Sequence, residues 1–231
     1  MAPIPPVIAI DGPGASGKST VGRLVARRLG YGFIDTGGMY RALTWLALLK
    51  DMDFDDDGAL TRLAEETPLT VLPDGPDHQG QVVAGGRDLS PFLRHPEVDA
   101  KVSLLSRVPG VRVIMVANQR AIAEQGGVVM AGRDIGTVVL PDAPLKIYLD
   151  ASVEERAGRR FREQRDQGLE VSYDQVLDDL RRRDDLDGQR ATSPLRPAAD
   201  AHKIDTDGLT PEEIADAIIA AATGRRLTRR P

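Results

Sequence analysis

The stretch Val7-Ile8-Ala9-Ile10-Asp11-Gly12-Pro13-Gly14-Ala15-Ser16-Gly17-Lys18-Ser19-Thr20 decides the fold. Its first five residues are a short apolar run ending in a carboxylate. That is the pattern of a strand buried on both faces of a parallel sheet. Gly12 through Ser19 fits G-x-x-x-x-G-K-[S/T]. Glycines at this spacing let backbone N–H groups turn inward around a polyphosphate. The helix that follows adds unpaired donors and the positive end of its dipole. Lys18 is placed for the β- and γ-phosphates and the Ser19 hydroxyl for Mg²⁺. Gly12, Pro13, Gly14, Ala15, Ser16, Gly17, Lys18, Ser19 and Thr20 are therefore the expected triphosphate cradle, with Ser19 as the metal ligand.

Working outward, Val21, Leu24, Val25 and Leu29 recur at helical spacing, and Gly30 stands where a helix ends. Residues 31–35 read as a second strand and 38–50 as a helix. From 66 to 90 the texture changes. Pro68, Pro73, Gly75, Pro76, Gly80, Gly85 and Gly86 punctuate two β-like pieces, Leu69–Leu72 and Gln81–Ala84. They predict a small antiparallel sheet inserted between helices. Helical patterns cover 96–106 and 109–125. Val128–Met130, Leu145–Asp150 and His202–Asp205 are the third, fourth and fifth strands. A charged helical stretch spans 152–188 with a break near Gly168. Thr210 and Glu213 form a capping box on the last helix, and 224–231 is a basic, frayed tail. Strands alternating with helices predict an α/β, P-loop NTPase-type fold. It is a parallel five-stranded sheet with helices on both faces, in a single domain spanning 1–231.

Composition narrows the function. The chain has 231 residues, no cysteine, three histidines and a net charge of −5. Disulfides, thiolate metal sites and cysteine nucleophiles are excluded, and a histidine metal site is disfavoured. A mildly acidic chain is a poor general binder of nucleic acid or anionic membrane. Residues 1–8 lack a basic start and a long apolar run, and no stretch is long and apolar enough for a membrane span. The expectation is a cytoplasmic protein. Of the 30 basic residues, 25 are arginine. Arginine grips phosphate with a flat fork that lysine lacks, but a GC-rich genome produces the same skew. Position therefore decides which arginines matter.

The triphosphate motif leaves three classes open: a small-molecule kinase, a GTPase switch, or an ATP-driven motor or regulator. Asp35-Thr36-Gly37-Gly38 fits D-x-x-G weakly, but no N-K-x-D follows to read guanine. No apolar strand ends in Asp-Glu as in motors. Instead, arginines stand where loops leave the sheet, the crevice where such folds bind ligands. Tyr40-Arg41 follows strand two, and Gly132-Arg133-Asp134 follows strand three. Arg41 and Arg133 can clamp an acceptor phosphate or form surface salt bridges. Asp134 can be the ion-pair partner of Arg133, or it can accept from a base amine such as cytosine N4. Between 156 and 190 lie nine arginines and no lysine. Arg183, Asp187 and Arg190 are spaced to share one helix face, which offers two guanidiniums to phosphates and a carboxylate to ribose.

These motifs resemble the bacterial cytidylate kinases of the nucleoside monophosphate kinase group. The matching stretches are 10–20, Asp35-Thr36-Gly37-Gly38-Met39-Tyr40-Arg41, 132–139, 141–149 and Arg182-Arg183-Asp184-Asp185-Leu186-Asp187. The resemblance implies transfer of the ATP γ-phosphoryl group to CMP or dCMP, with Mg²⁺, by a monomer. It implies a core at 1–65 and 106–223, an inserted CMP-binding subdomain at about 66–105 and a lid at about 154–190. Ser103, Arg112 and Asp134 fall where the family reads cytosine. Arg41, Arg133 and Arg190 fall where it holds the CMP phosphate, with Thr36 and Tyr40 nearby. Arg183 and Asp187 fall where it meets ribose. The catalytic set implied is Lys18, Arg133, Arg183 and Arg190. One departure stands out: the family has Asp or Glu just before Gly-Arg-Asp, and this chain has Ala131. Ser19 then remains for the metal, with Asp11 at the end of strand one as the expected helper. The rival readings are another kinase of this fold and a nucleotide-dependent regulator.

Overall fold

The computed structural model describes residues 6–74, 80–190 and 192–224. The first five residues, Gly75 and Pro76 of the insert, and the basic tail 225–231 lie outside them. β1 (Val7–Asp11) is followed by α1 (Lys18–Leu29), β2 (Gly32–Asp35), α2 (Thr36–Leu49) and α3 (Asp57–Glu66). β3 (Leu69–Leu72), β4 (Gln81–Ala84) and β5 (Arg87–Asp88) come next, then a 3₁₀ turn at Ser90–Phe92. α4 (Pro96–Ser106) and α5 (Pro109–Ala123) lead to β6 (Val128–Gly132). A π-type turn at Ile135–Val139 precedes β7 (Leu145–Asp150). α6 (Val153–Asp166), α7 (Tyr173–Gly188), β8 (His202–Asp205) and α8 (Pro211–Thr223) follow.

Among the described residues, five parallel strands form one sheet in the order β2-β6-β1-β7-β8. β1 is central, so the phosphate loop leaves the sheet between the ends of β6 and β7. Alternation along the strands explains the two layers. Ile8, Ile10 and Phe33 pack against α1 and α8 through Val21, Val25, Ile214 and Ile218. Ala9, Ile34 and Met130 face the opposite side, with Ala123 of α5 and Ile135 of the π-type turn. The predicted insert contains a three-stranded antiparallel sheet, β3-β4-β5.

Two elements differ from the expectation. α2 begins at Thr36, two residues early, because Asp35 caps it by accepting from the Gly37 N–H at 3.0 Å. α3 has no counterpart among the predicted elements. It is capped by Asp56 at the Ala59 N–H and buries Leu60, Leu63 and Ala64 at the i, i+3, i+4 spacing of one face.

Gly12 closes the phosphate loop against β7. Its φ is +151°, and a Cβ there would lie 2.1 Å from the Leu149 carbonyl oxygen. A backbone oxygen inside a sheet cannot step aside. Gly12→Ala is expected to cost about 3 kcal/mol, which lowers Tm by about 6–12 °C for a domain of this size. Thermal unfolding monitored by circular dichroism checks this.

Candidate active site

The loop between β1 and α1 places Lys18 at the first turn of the helix. Its side chain is buried, and Nζ donates to the Pro13 carbonyl at 2.5 Å and to Ser16 Oγ at 3.3 Å. Burial and the nearby Arg133 charge hold its pKa well below the ordinary lysine range, against the pull of Asp35 and Asp11. Its hydrogen-bond partners are thus neutral oxygens of the same loop.

Ser19 Oγ donates to Asp35 Oδ2 at 2.8 Å. Burial pushes the Asp35 carboxyl up, but Arg94, the Ser19 hydroxyl, Arg41 and Lys18 together hold it below its usual value. Asp35 is also the register partner of Ala131 on the neighbouring strand. A carboxylate therefore stands beside the position where Ala131 has only a methyl group. Asp11, the expected helper of Ser19, is engaged with backbone groups. Both of its oxygens accept backbone N–H groups, from Ile135 and Gly136, each at 2.7 Å. It braces the turn after β6. Burial raises its pKa to about 6 even though those two bonds oppose the shift. Ser19 and Asp35 suit a hard divalent cation that keeps water and phosphate oxygens as its other ligands.

The arginines are sorted by carboxylates. Arg133 Nε donates to Asp187 at 2.8 Å and its Nη1 to the Gly12 carbonyl at 3.2 Å. Arg190 donates to the other Asp187 oxygen and to Ser106 Oγ at 2.8 Å. Asp187 is nearly fully buried. Burial raises its pKa, but Arg133, Arg190 and Arg183 outweigh it and keep it ionised. Arg112 pairs with Asp134, donates to the Ser106 carbonyl at 3.2 Å and lies over the Tyr40 ring at 5.5 Å. Burial drives the Tyr40 hydroxyl up to about 12. The ion-pair alternative for Asp134 is thus corrected: its partner is Arg112, and Arg133 belongs to Asp187. Arg190 stands beyond the end of α7 rather than on its face, yet it still meets Asp187.

Arg41 donates to the Leu93 carbonyl at 2.9 Å and pairs with Asp99 at 2.5 Å. The Thr36 hydroxyl is spent on the Ala131 carbonyl at 2.9 Å. Ser103 is buried on α4. Arg183 has no short partner. Its Nη1 lies 3.9 Å from Asp99 Oδ1, and burial with the Arg133 and Arg41 charges lowers its pKa to about 9.

One cavity of about 1040 Å³ joins the phosphate loop to the Arg112–Asp134 pair and runs on to the Thr210 loop. It is as large as the biggest ordinary single-ligand pocket. Buried Nε donors of Arg112, Arg183 and Arg190 have no protein partner. Buried donors without acceptors are costly unless a ligand meets them. Sequence reasoning missed Asp99, Arg94 and Ser106. They sit on or beside α4, whose apolar spacing signals nothing beyond a half-buried surface. Arg156, one of the nine arginines between 156 and 190, is buried. It donates to the Gly14 carbonyl at 3.2 Å and pairs with Asp184 at 2.6 Å, tying the phosphate loop to α7.

Shikimate kinase from Acinetobacter baumannii shares the fold, with a TM-score of 0.50 at 19% identity over 97% of this chain and 96% of that one. A cytidylate kinase of Bacillus licheniformis is 50% identical over 214 residues, 92% of this chain and 93% of the relative. One from Roseiflexus castenholzii is 50% identical over 96% of this chain and 95% of its own. One from Bacillus subtilis is 46% identical over 93% and 95%. The family model described as cytidylate kinase matches residues 8–224, from the middle of β1 to the end of α8. With the phosphate loop, the Arg112–Asp134 pair and the arginine cluster all inside that span, the chain belongs to the cytidylate kinase family.

Proposed function

We propose that this chain transfers the γ-phosphoryl group of ATP to CMP or dCMP, giving ADP and CDP or dCDP. The observation that supports it best is Arg133. One end of its guanidinium touches the phosphate loop at Gly12 and the other touches Asp187. It links the donor side of the cavity to the acceptor side. In this reading the loop Gly12–Thr20 and Lys18 hold the ATP phosphates. Arg41, Arg133 and Arg190 hold the acceptor phosphate, with Thr36 and Tyr40 shaping its floor. Arg183 and Asp187 meet ribose, and Arg183 also faces the transferring group.

The acceptor oxygen is already anionic, so its attack on the γ-phosphorus needs no strong base. Rate comes from alignment and from neutralising charge as the group moves. Mg²⁺ would be held by Ser19, with Asp35 behind it, and would supply charge neutralisation on the phosphates. The 66–105 insert and the 154–190 lid close on the substrates and shut out water. The lid arginine Arg159 donates to the Thr206 carbonyl at 2.6 Å and its hydroxyl at 3.0 Å. That places a flat cation beside the Thr206–Thr210 loop, where the adenine ring would sit.

Cytosine offers an N4 amine where uracil offers a carbonyl. Asp134 rewards the amine and repels the carbonyl, while Arg112 and Ser103 take the remaining edge. ADP release measured with CMP, dCMP, UMP, AMP and no acceptor tests this. CMP is expected to exceed UMP by about ten- to a hundredfold in kcat/KM. Equal rates for CMP and UMP would defeat the role given to Asp134.

A further inference from the structure

The cavity's cations are not evenly neutralised. Asp187 serves Arg133 and Arg190, and Asp134 serves Arg112. Arg41, Arg160 and Arg183 come from α2, α6 and α7, and they converge on one carboxylate of α4, Asp99. Its Oδ1 is 2.5 Å from Arg41, its Oδ2 is 2.6 Å from Arg160, and Arg183 lies 3.9 Å from Oδ1. Burial alone would favour the neutral acid, but the three guanidiniums hold the Asp99 pKa below its ordinary value. Among the described residues, these are the only ion pairs from α4 to the two lid helices. Arg160 also pairs with Glu163 of its own helix at 2.9 Å, yet the three guanidiniums meeting at Asp99 still exceed the carboxylate charge beside them, and a phosphate dianion fills such a site better, since it brings more charge and more acceptor oxygens.

We propose that Asp99 is a positioning residue that acts as an internal counter-anion, holding Arg41 and the lid arginines together until the acceptor phosphate takes its place. This rests on the reading of Arg41 as an acceptor-phosphate ligand. Before substrate arrives, Asp99 prevents the cations from repelling one another and bridges insert to lid. When the phosphate engages Arg41, Asp99 keeps Arg160 and stays part of the closed wall. It also competes with the phosphate, so its charge sets acceptor affinity.

The test uses the full chain and inorganic phosphate as the probe, with dissociation constants from calorimetry at low salt and no ATP. Asp99→Asn is expected to bind phosphate about three- to tenfold more tightly. Asp99→Glu restores the charge and is expected to return the affinity toward that of the parent. Arg160→Gln leaves Asp99 free to grip Arg41 and Arg183, so phosphate should bind more weakly. In steady-state kinetics, Asp99→Asn should lower KM for CMP while kcat changes by less than about threefold. Unchanged or weaker phosphate binding in Asp99→Asn overturns the proposal, as does a raised KM with lowered kcat, the mark of a mere brace. Unchanged binding in Arg160→Gln overturns it too, which covers the case of an Asp99 variant that does not fold. Arg41→Gln separates the two readings. If it binds phosphate like the parent, the acceptor-site assignment itself fails.

Discussion

Lys18→Met is expected to lower kcat by about 10²–10⁴-fold while the protein stays folded. The motif sets the position and the structure explains the size of the effect. Lys18 Nζ lies against the Pro13 carbonyl and Ser16 Oγ, inside the Gly12–Thr20 loop. In the proposed reading it meets negative charge that grows between the β- and γ-phosphates as the bond breaks. Donors aimed at developing charge are commonly worth that much. Methionine keeps most of the stem and removes the cation. Burial and the Arg133 charge disfavour the ammonium in the folded chain, so its removal relieves a cost. The melting temperature should hold or rise. A coupled ADP assay beside a thermal scan checks both. Activity within tenfold of the parent would sink the role given to Lys18, and lost activity with a lower Tm would trace to folding instead.

Arg133→Lys is the second large effect, expected at about 10²–10³-fold in kcat/KM. The substitution keeps the charge but not the fork. Arg133 donates at once to Asp187 and to the Gly12 carbonyl, and a single ammonium cannot hold both directions. The donor loop and the acceptor site would lose their shared strut, so alignment suffers more than binding. Most of the loss should fall on kcat. Arg133→Ala should do further damage, because it leaves the buried Asp187 with Arg190 as its close partner. Breaking one side of a buried pair costs about 3–5 kcal/mol. A double-mutant cycle of Arg133→Lys with Asp187→Asn reads the coupling. Additive losses would show that the two side chains act separately.

Much of the fold was legible because local chemistry carried it. β1, the loop and α1 follow from apolar run, glycine spacing and helical period. The small antiparallel sheet follows from Pro and Gly punctuation around Leu69–Leu72 and Gln81–Ala84. α3 was not among the predicted elements, although Asp56 stands as its cap and Leu60, Leu63 and Ala64 carry the helical period. The site was less legible. Asp134 stands next to Arg133 in the chain but bonds Arg112, 22 residues away. Asp11 carries a strand-end carboxylate, yet its oxygens close a turn 124 and 125 residues on.

By itself the sequence determined an α/β sheet, a triphosphate loop with Lys18 and Ser19, and a set of arginines beyond strand ends. Those features depend on residue type and short spacing, which the chain states directly. Only the tertiary structure decided which carboxylate neutralises which arginine. Asp187 took Arg133 and Arg190, Asp134 took Arg112, and Asp99 gathered Arg41, Arg160 and Arg183. It also placed Asp35 beside the methyl of Ala131. Apart from Asp187–Arg190, three residues apart, these pairings join residues far apart in the chain. A charge pair is selected by distance and by the loss of water around it, and neither quantity exists until the sheet, insert and lid are packed.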